Sequence, residues 1–76
     1  ANQFVSCYPN PAKNVLNVRN TMAEDISISI YSLNGRLIQT TLNHPGTTQI
    51  DISNLASGVY ILKSSTHHFT QRVVKL

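Results

Sequence analysis

The sequence predicts an all-β domain, a two-sheet antiparallel sandwich of about seven short strands, on three observations. Asp25-Ile26-Ser27-Ile28-Ser29-Ile30-Tyr31-Ser32 alternates isoleucine with serine, the period-two pattern of a half-buried strand. Asn34-Gly35 follows it, the strongest short-range hairpin signal available. No window carries a 3.6-residue apolar period, and turn signals recur between short apolar runs along the chain. A small open barrel is the alternative closure of the same strands.

Taken in order, the first strand is expected over residues 4–8. Pro9 and Pro11 then fix their own φ and push the residue before each toward extended conformations. With Asn10 between them they form a stiff kink ahead of a strand over 15–19, expected to act as a hinge between an upstream segment and the sandwich. Residues 1–8 are read as the end of a linker and the lead-in to the first strand, and residues 9–76 as a single domain. In the Ile-Ser strand, Ile26, Ile28 and Ile30 share the inward face and Tyr31 faces outward.

The returning strand, over 36–42, is expected to point Ile38 and Leu42 inward and Gln39 and Thr41 to water. His44-Pro45-Gly46 ends it, because proline cannot donate to a ladder and glycine frees the turn. A short strand over 48–52 puts Ile50 and Ile52 on one face. Asn54-Leu55-Ala56-Ser57-Gly58 is a compact corner, where Gly58 permits positive φ and the Tyr60 hydroxyl is placed to tie the incoming connection. Val59-Tyr60-Ile61-Leu62 is apolar on both faces, as suits a central or covered strand. Residues 64–67 read as a turn and 69–76 as the last strand.

At 76 residues the chain is one small domain; such a domain buries only about 60% of the surface its unfolded chain exposes. Cys7 is the single cysteine, which excludes an internal disulfide and a cysteine-based zinc site. The net charge of +3 comes from Lys13, Arg19, Arg36, Lys63, Arg72 and Lys75, scattered singly, against Glu24, Asp25 and Asp51. Nucleic-acid binders concentrate such charge on one face or helix, so solvated charge and no nucleic-acid partner are expected. No apolar run is long enough to span a membrane, and none is expected to insert. The first residues lack the basic start and apolar core of a signal peptide. An export address is therefore expected upstream, in a longer precursor of which this chain is a fragment.

Chemistry is hard to find. His44, His67 and His68 fall in predicted turns, where exposed polar groups belong, and adjacent strand residues such as His67 and His68 point to opposite faces. No metal site is expected. Cys7, a histidine and Asp51 make a nucleophilic trio only on paper, since a nucleophile needs a base within reach and a third group orienting it. Cys7 reads as a small apolar residue. With no catalytic or cofactor motif, the chain is expected not to be an enzyme and to bind no cofactor. Arg72 and Lys75 on the last strand have two open readings, protection of a sheet edge or a terminal tag.

Four blocks, in register, resemble one family. Tyr8-Pro9-Asn10-Pro11 followed by Asn14, Leu16 and Val18 resembles the opening signature of the type A C-terminal sorting domains of the type IX secretion system. Residues 28–36 resemble its central hairpin, residues 50–63 its most recognisable block, and Arg72-Val73-Val74-Lys75 its basic last strand. The likeness runs from about residue 4 to the end. Gly58 and Tyr60 occupy the glycine and tyrosine of the central block and Lys75 a terminal basic position. Ala56 or Ser57 stands where many members carry proline, and Gln71 where some carry lysine.

The resemblance implies a seven-stranded Ig-like sandwich at the C-terminal end of a Bacteroidetes protein. It implies that a cargo joined upstream reaches the periplasm by a signal peptide and crosses an outer-membrane translocon. A sortase-like cysteine protease then removes the domain at the cell surface, where cargo is anchored or released. The expected partners are thus the translocon, the sortase-like protease and the attached cargo. The recognition residues expected are Gly58, Tyr60, Arg72, Val73, Val74, Lys75 and Leu76, with docking through sheet edges, the last strand and charge complementarity. Exposed sheet edges also leave room for a homodimer. The other readings are an Ig-like adhesion or carbohydrate-binding accessory, for which Tyr31 is the outward aromatic, and a plain spacer.

Overall fold

Alternating side chains along each strand build one core between two sheets. The structure, a computed structural model, describes residues 5–64 and 69–76. Its strands are β1 (Val5–Tyr8), β2 (Val15–Asn20), β3 (Ile26–Ser32), β4 (Leu37–Asn43), β5 (Gly46–Asp51), β6 (Gly58–Ser64) and β7 (Thr70–Lys75). One sheet has the order β1-β2-β5 and the other β4-β3-β6-β7, with antiparallel pairing throughout. This is the two-sheet, seven-stranded arrangement that the sequence predicts, and the described residues include no helix. The expected turn at 64–67 and the positions of Phe4, His67 and His68 lie outside the described residues, save that Ser64 closes β6.

Ile26, Ile28 and Ile30 are buried as the alternation requires. They sit in the same core cluster as Leu16 and Val18 of β2 and Ile50 of β5. Full burial of an aliphatic side chain contributes about 2 kcal/mol, so these six supply a large part of the stability of so small a domain. β6 is a central strand, flanked by β3 and β7. Its Leu62 is in the core while Val59 and Ile61 are half-buried on the outer face, which accounts for its apolar content on both sides.

β4 departs from expectation. Ile38 and Leu42 point outward, and Gln39, Thr41 and buried Asn43 take the inner side opposite Ile30, Ile28 and Ile26. Two features cause the reversal. The Gly35 N–H donates to the Ser32 carbonyl, which makes Leu33 and Asn34 the central turn residues and leaves Gly35 at φ +90° after them. The register then slips between Ile30 and Tyr31, so that Tyr31 pairs with Leu37 and Ile38 is bulged out. A one-residue slip moves every later side chain to the other face.

Two buried asparagines tie the sheets together on this side. Asn43 Nδ2 donates to the Val18 carbonyl in the other sheet at 3.2 Å, while its Oδ1 has no hydrogen-bond partner among the described residues. Asn20 Nδ2 donates to the Glu24 carbonyl at 2.9 Å, and its Oδ1 accepts the Met22 N–H at 2.8 Å, which shapes the β2–β3 connection.

β1 pairs with β2 and places Val5 and Cys7 in the core. Burial pushes the Cys7 thiol up to about 11, so the nucleophilic thiolate is scarce at neutral pH. Because this folded value lies above the unfolded one, the associated stability is fully present below about pH 8.5 and is lost as pH rises toward 11. Cys7 is expected to react with an alkylating reagent at pH 7–8 only through unfolding or opening of β1. The rate should therefore fall well below that of the chain in denaturant; equal rates in both conditions would show β1 undocked.

Candidate functional site: the corner at residues 9–12 and the last strand

The Pro9-Asn10-Pro11 segment does not hang between the sandwich and an upstream segment. It joins β1 to β2, two neighbours in one sheet, through cis peptide bonds at Tyr8–Pro9 and Asn10–Pro11. Its side-chain and backbone groups are spent on β7, in the opposite sheet. Asn10 Nδ2 donates to the Arg72 carbonyl at 3.0 Å, and Asn10 Oδ1 accepts the Val74 N–H at 3.0 Å. Ala12, completely buried, continues the ladder: its N–H donates to the Val74 carbonyl and its carbonyl accepts the Leu76 N–H, both at 2.8 Å. Gln71 Nε2 adds a bond to the Cys7 carbonyl at 3.4 Å. The expected hinge is thus replaced by a clamp, because bonds at both Asn10 and Ala12 leave the segment no freedom to swing. The proline spacing signalled rigidity; nothing local signalled where Asn10 would bond.

β7 therefore has side chains on two sides and a closed edge over residues 72–76. Val73 faces the core and Arg72, Val74 and Leu76 face outward. Lys75, expected as an exposed cation, is only 8% exposed; its Nζ donates to the Leu76 backbone oxygen at 2.8 Å. Edge protection at this end comes from the 10–12 corner rather than from Lys75.

The 52–60 corner holds the start of β6. Tyr60 Oη donates to the Ala56 carbonyl at 2.7 Å, the staple the sequence predicts and a hallmark of Ig-like sandwiches at the sixth strand. Gly58 has φ +154°, a conformation L side chains rarely adopt, and pairs with Lys75 on β7. Asp51 Oδ1 accepts both the Ser53 hydroxyl at 2.6 Å and the Ser53 N–H at 2.9 Å. These two bonds, the hydroxyl's first, hold its carboxyl below the usual carboxylate range. The Asp51 carboxylate is thus engaged in a turn, while Cys7 is inside the core.

The outer face of the four-stranded sheet carries Tyr31, Ile61 and Arg72 in one cross-strand row. Tyr31, Leu33, Ile61 and Lys63 line an open cleft of ≈ 330 Å³. Lys63 Nζ lies 5.6 Å from the Tyr31 ring centroid, a cation–π contact. At the far end of β3, His44 Nδ1 and Asp25 Oδ1 are 2.9 Å apart, both side chains well exposed.

Asn10→Ala removes both clamp bonds and is expected to cost about 1–2 kcal/mol, lowering the unfolding midpoint by at least about 4 °C. Asn10→Asp keeps the acceptor for Val74 N–H and should fall between wild type and Asn10→Ala in the same melt. Gly58→Ala meets no neighbour, so its expected cost of about 1–3 kcal/mol is backbone strain alone. A midpoint unchanged by that substitution would show the corner relaxing to φ < 0.

Comparison with known proteins comes down to one family. No curated protein matches the chain. The family model of the secretion system C-terminal sorting domain matches residues 6–76, which take in all the strands from β2 to β7 and the 9–12 corner. Sorting-signal domains are not a catalytic family. With a two-sheet sandwich, a tyrosine staple and a clamped last strand, the chain belongs to the type IX secretion C-terminal sorting domain family.

Proposed function

We propose that the secretion machinery reads this sorting domain through the outward side chains of β7 and β6 rather than by adding a strand to β7. The observation behind this is the clamp. The outward-facing backbone groups of Arg72, Val74 and Leu76 are bonded to Asn10 and Ala12, so strand addition there would first have to displace the corner. What remains presented is a patch of Val59, Ile61, Arg72 and Val74, adjoining Leu76. Arg72 supplies charge complementarity and the aliphatic groups supply burial. Gly58 and Tyr60 act at one remove, by holding β6 in register with β7. The translocon and a sortase-like protease are the proposed readers, the cargo is joined ahead of β1, and transit runs through the periplasm to the cell surface or medium.

A carbohydrate-binding role is less well supported. Sugars stack on open aromatic faces, and Lys63 lies over the ring of Tyr31, the outward aromatic of β3.

The test is a fusion of residues 1–76 behind a signal-peptide-bearing fluorescent protein, expressed in a Bacteroidetes host and in a translocon-deficient strain. Surface or medium fluorescence should appear in the first and vanish in the second. Deleting the last five residues or introducing Arg72→Glu should trap the fusion in the periplasm, while Tyr31→Ala should not. Export unaffected by Arg72→Glu and by Val74→Ser would refute the β7 readout while leaving the sorting role intact.

A further inference from the structure

Two sheets have four edges, and three of them are unsuited to pairing with another chain. β7 is closed by the 10–12 corner. β1 has four residues, runs into Pro9, and has its Cys7 carbonyl bonded to Gln71. β5 begins at a positive-φ glycine, presents Thr47 and Gln49 outward, and ends in a charge at Asp51. β4 differs from all of these. It is seven residues long, Leu-Ile-Gln-Thr-Thr-Leu-Asn, with no charge and no proline. Three of its apolar side chains are exposed: Leu37 at 53%, Ile38 at 36% and Leu42 at 53%. Apart from the one-residue bulge at Ile38, this edge carries none of the charge, proline or cover by which natural sheets avoid pairing with another chain.

We infer that the β4 edge pairs antiparallel with the β4 edge of a second copy of this chain, about a two-fold axis through Thr40. In that register residues 38–42 are self-complementary, while Leu37 falls opposite the second copy's buried Asn43. On the outer face Ile38 meets the second copy's Leu42, twice by symmetry, and Thr40 lies beside its own counterpart. On the inner face Gln39 meets Thr41. Beyond the ends of the strand, Arg36 comes opposite the second copy's His44, which already holds the exposed Asp25 carboxylate at 2.9 Å. Each end of the interface thus brings the Arg36 cation toward the Asp25 carboxylate. The joined sheets form one continuous eight-stranded sheet, twice the four strands of one copy.

The inference is independent of the sorting role, and the experiment is sedimentation velocity of the 76-residue chain from low micromolar to millimolar concentration. A reversible dimer is expected. Ile38→Lys and Leu42→Lys should each weaken it by about tenfold or more, because each substitution acts twice and sets a charge against an apolar partner. At concentrations where the wild type is monomeric, their unfolding midpoints should match its own, since both side chains are exposed in the monomer. Arg36→Asp and Asp25→Arg should each weaken association, and combining them should restore it. Thr40→Cys should give a disulfide-linked dimer on mild oxidation, because directly paired strand residues fall within disulfide reach. A chain monomeric at all concentrations overturns the inference, and so does a dimer that neither crosslinks through Thr40→Cys nor recovers in the charge-swapped double variant.

Discussion

The sandwich depends on the junction between residues 10–12 and the outer edge of β7. A last strand paired on one side alone would leave a row of backbone donors and acceptors unsatisfied, and each such group costs free energy when it loses water without finding a partner. Asn10 meets this with a side-chain amide that imitates a peptide unit, one donor and one acceptor set at the spacing of Arg72 O and Val74 N. Ala12 then takes over with its own backbone, and its small side chain lets the corner lie flat against the core. The result is an asymmetric sandwich: one side is stitched from β1 through the corner to β7, while the other is held by the two asparagines and leaves β4 uncovered.

That asymmetry divides the molecule's work. On the stitched side the backbone is saturated, so anything that recognises β7 has side chains to read, with Arg72 the charged one among them. Lys75, folded back onto the Leu76 backbone oxygen, is structural in this arrangement. Family membership makes the role a sorting signal, and such a signal is well served by a surface held rigid by its own bonds.

Much of this was legible in the sequence, and the remainder was illegible for definite reasons. The Ile-Ser alternation of β3 specified its faces because period two admits one assignment. Tyr60 and Gly58 were readable because their geometry is local, the hydroxyl reaching back four residues to Ala56. The faces of β4 are not legible, because a bulge at Ile38 is one residue long and leaves no compositional trace, yet it inverts everything after it. The clamp role of Asn10 is not legible, because its partners lie 62 and 64 residues away and no pattern in the chain encodes that separation. Lys75 was expected in water because charged side chains are seldom buried, and its acceptor is contributed by the fold.

The clamp also sets an order of events. The corner leaves the ribosome ahead of β2 to β7, and β7 is the last of these strands to follow. Until residues 72–76 exist, Asn10 and Ala12 have nothing to bind, and a contact so distant along the chain is among the slowest to form. A precursor cut short anywhere before Val74 carries a sandwich open along one side, so the closed form of the domain certifies that translation reached its final strand.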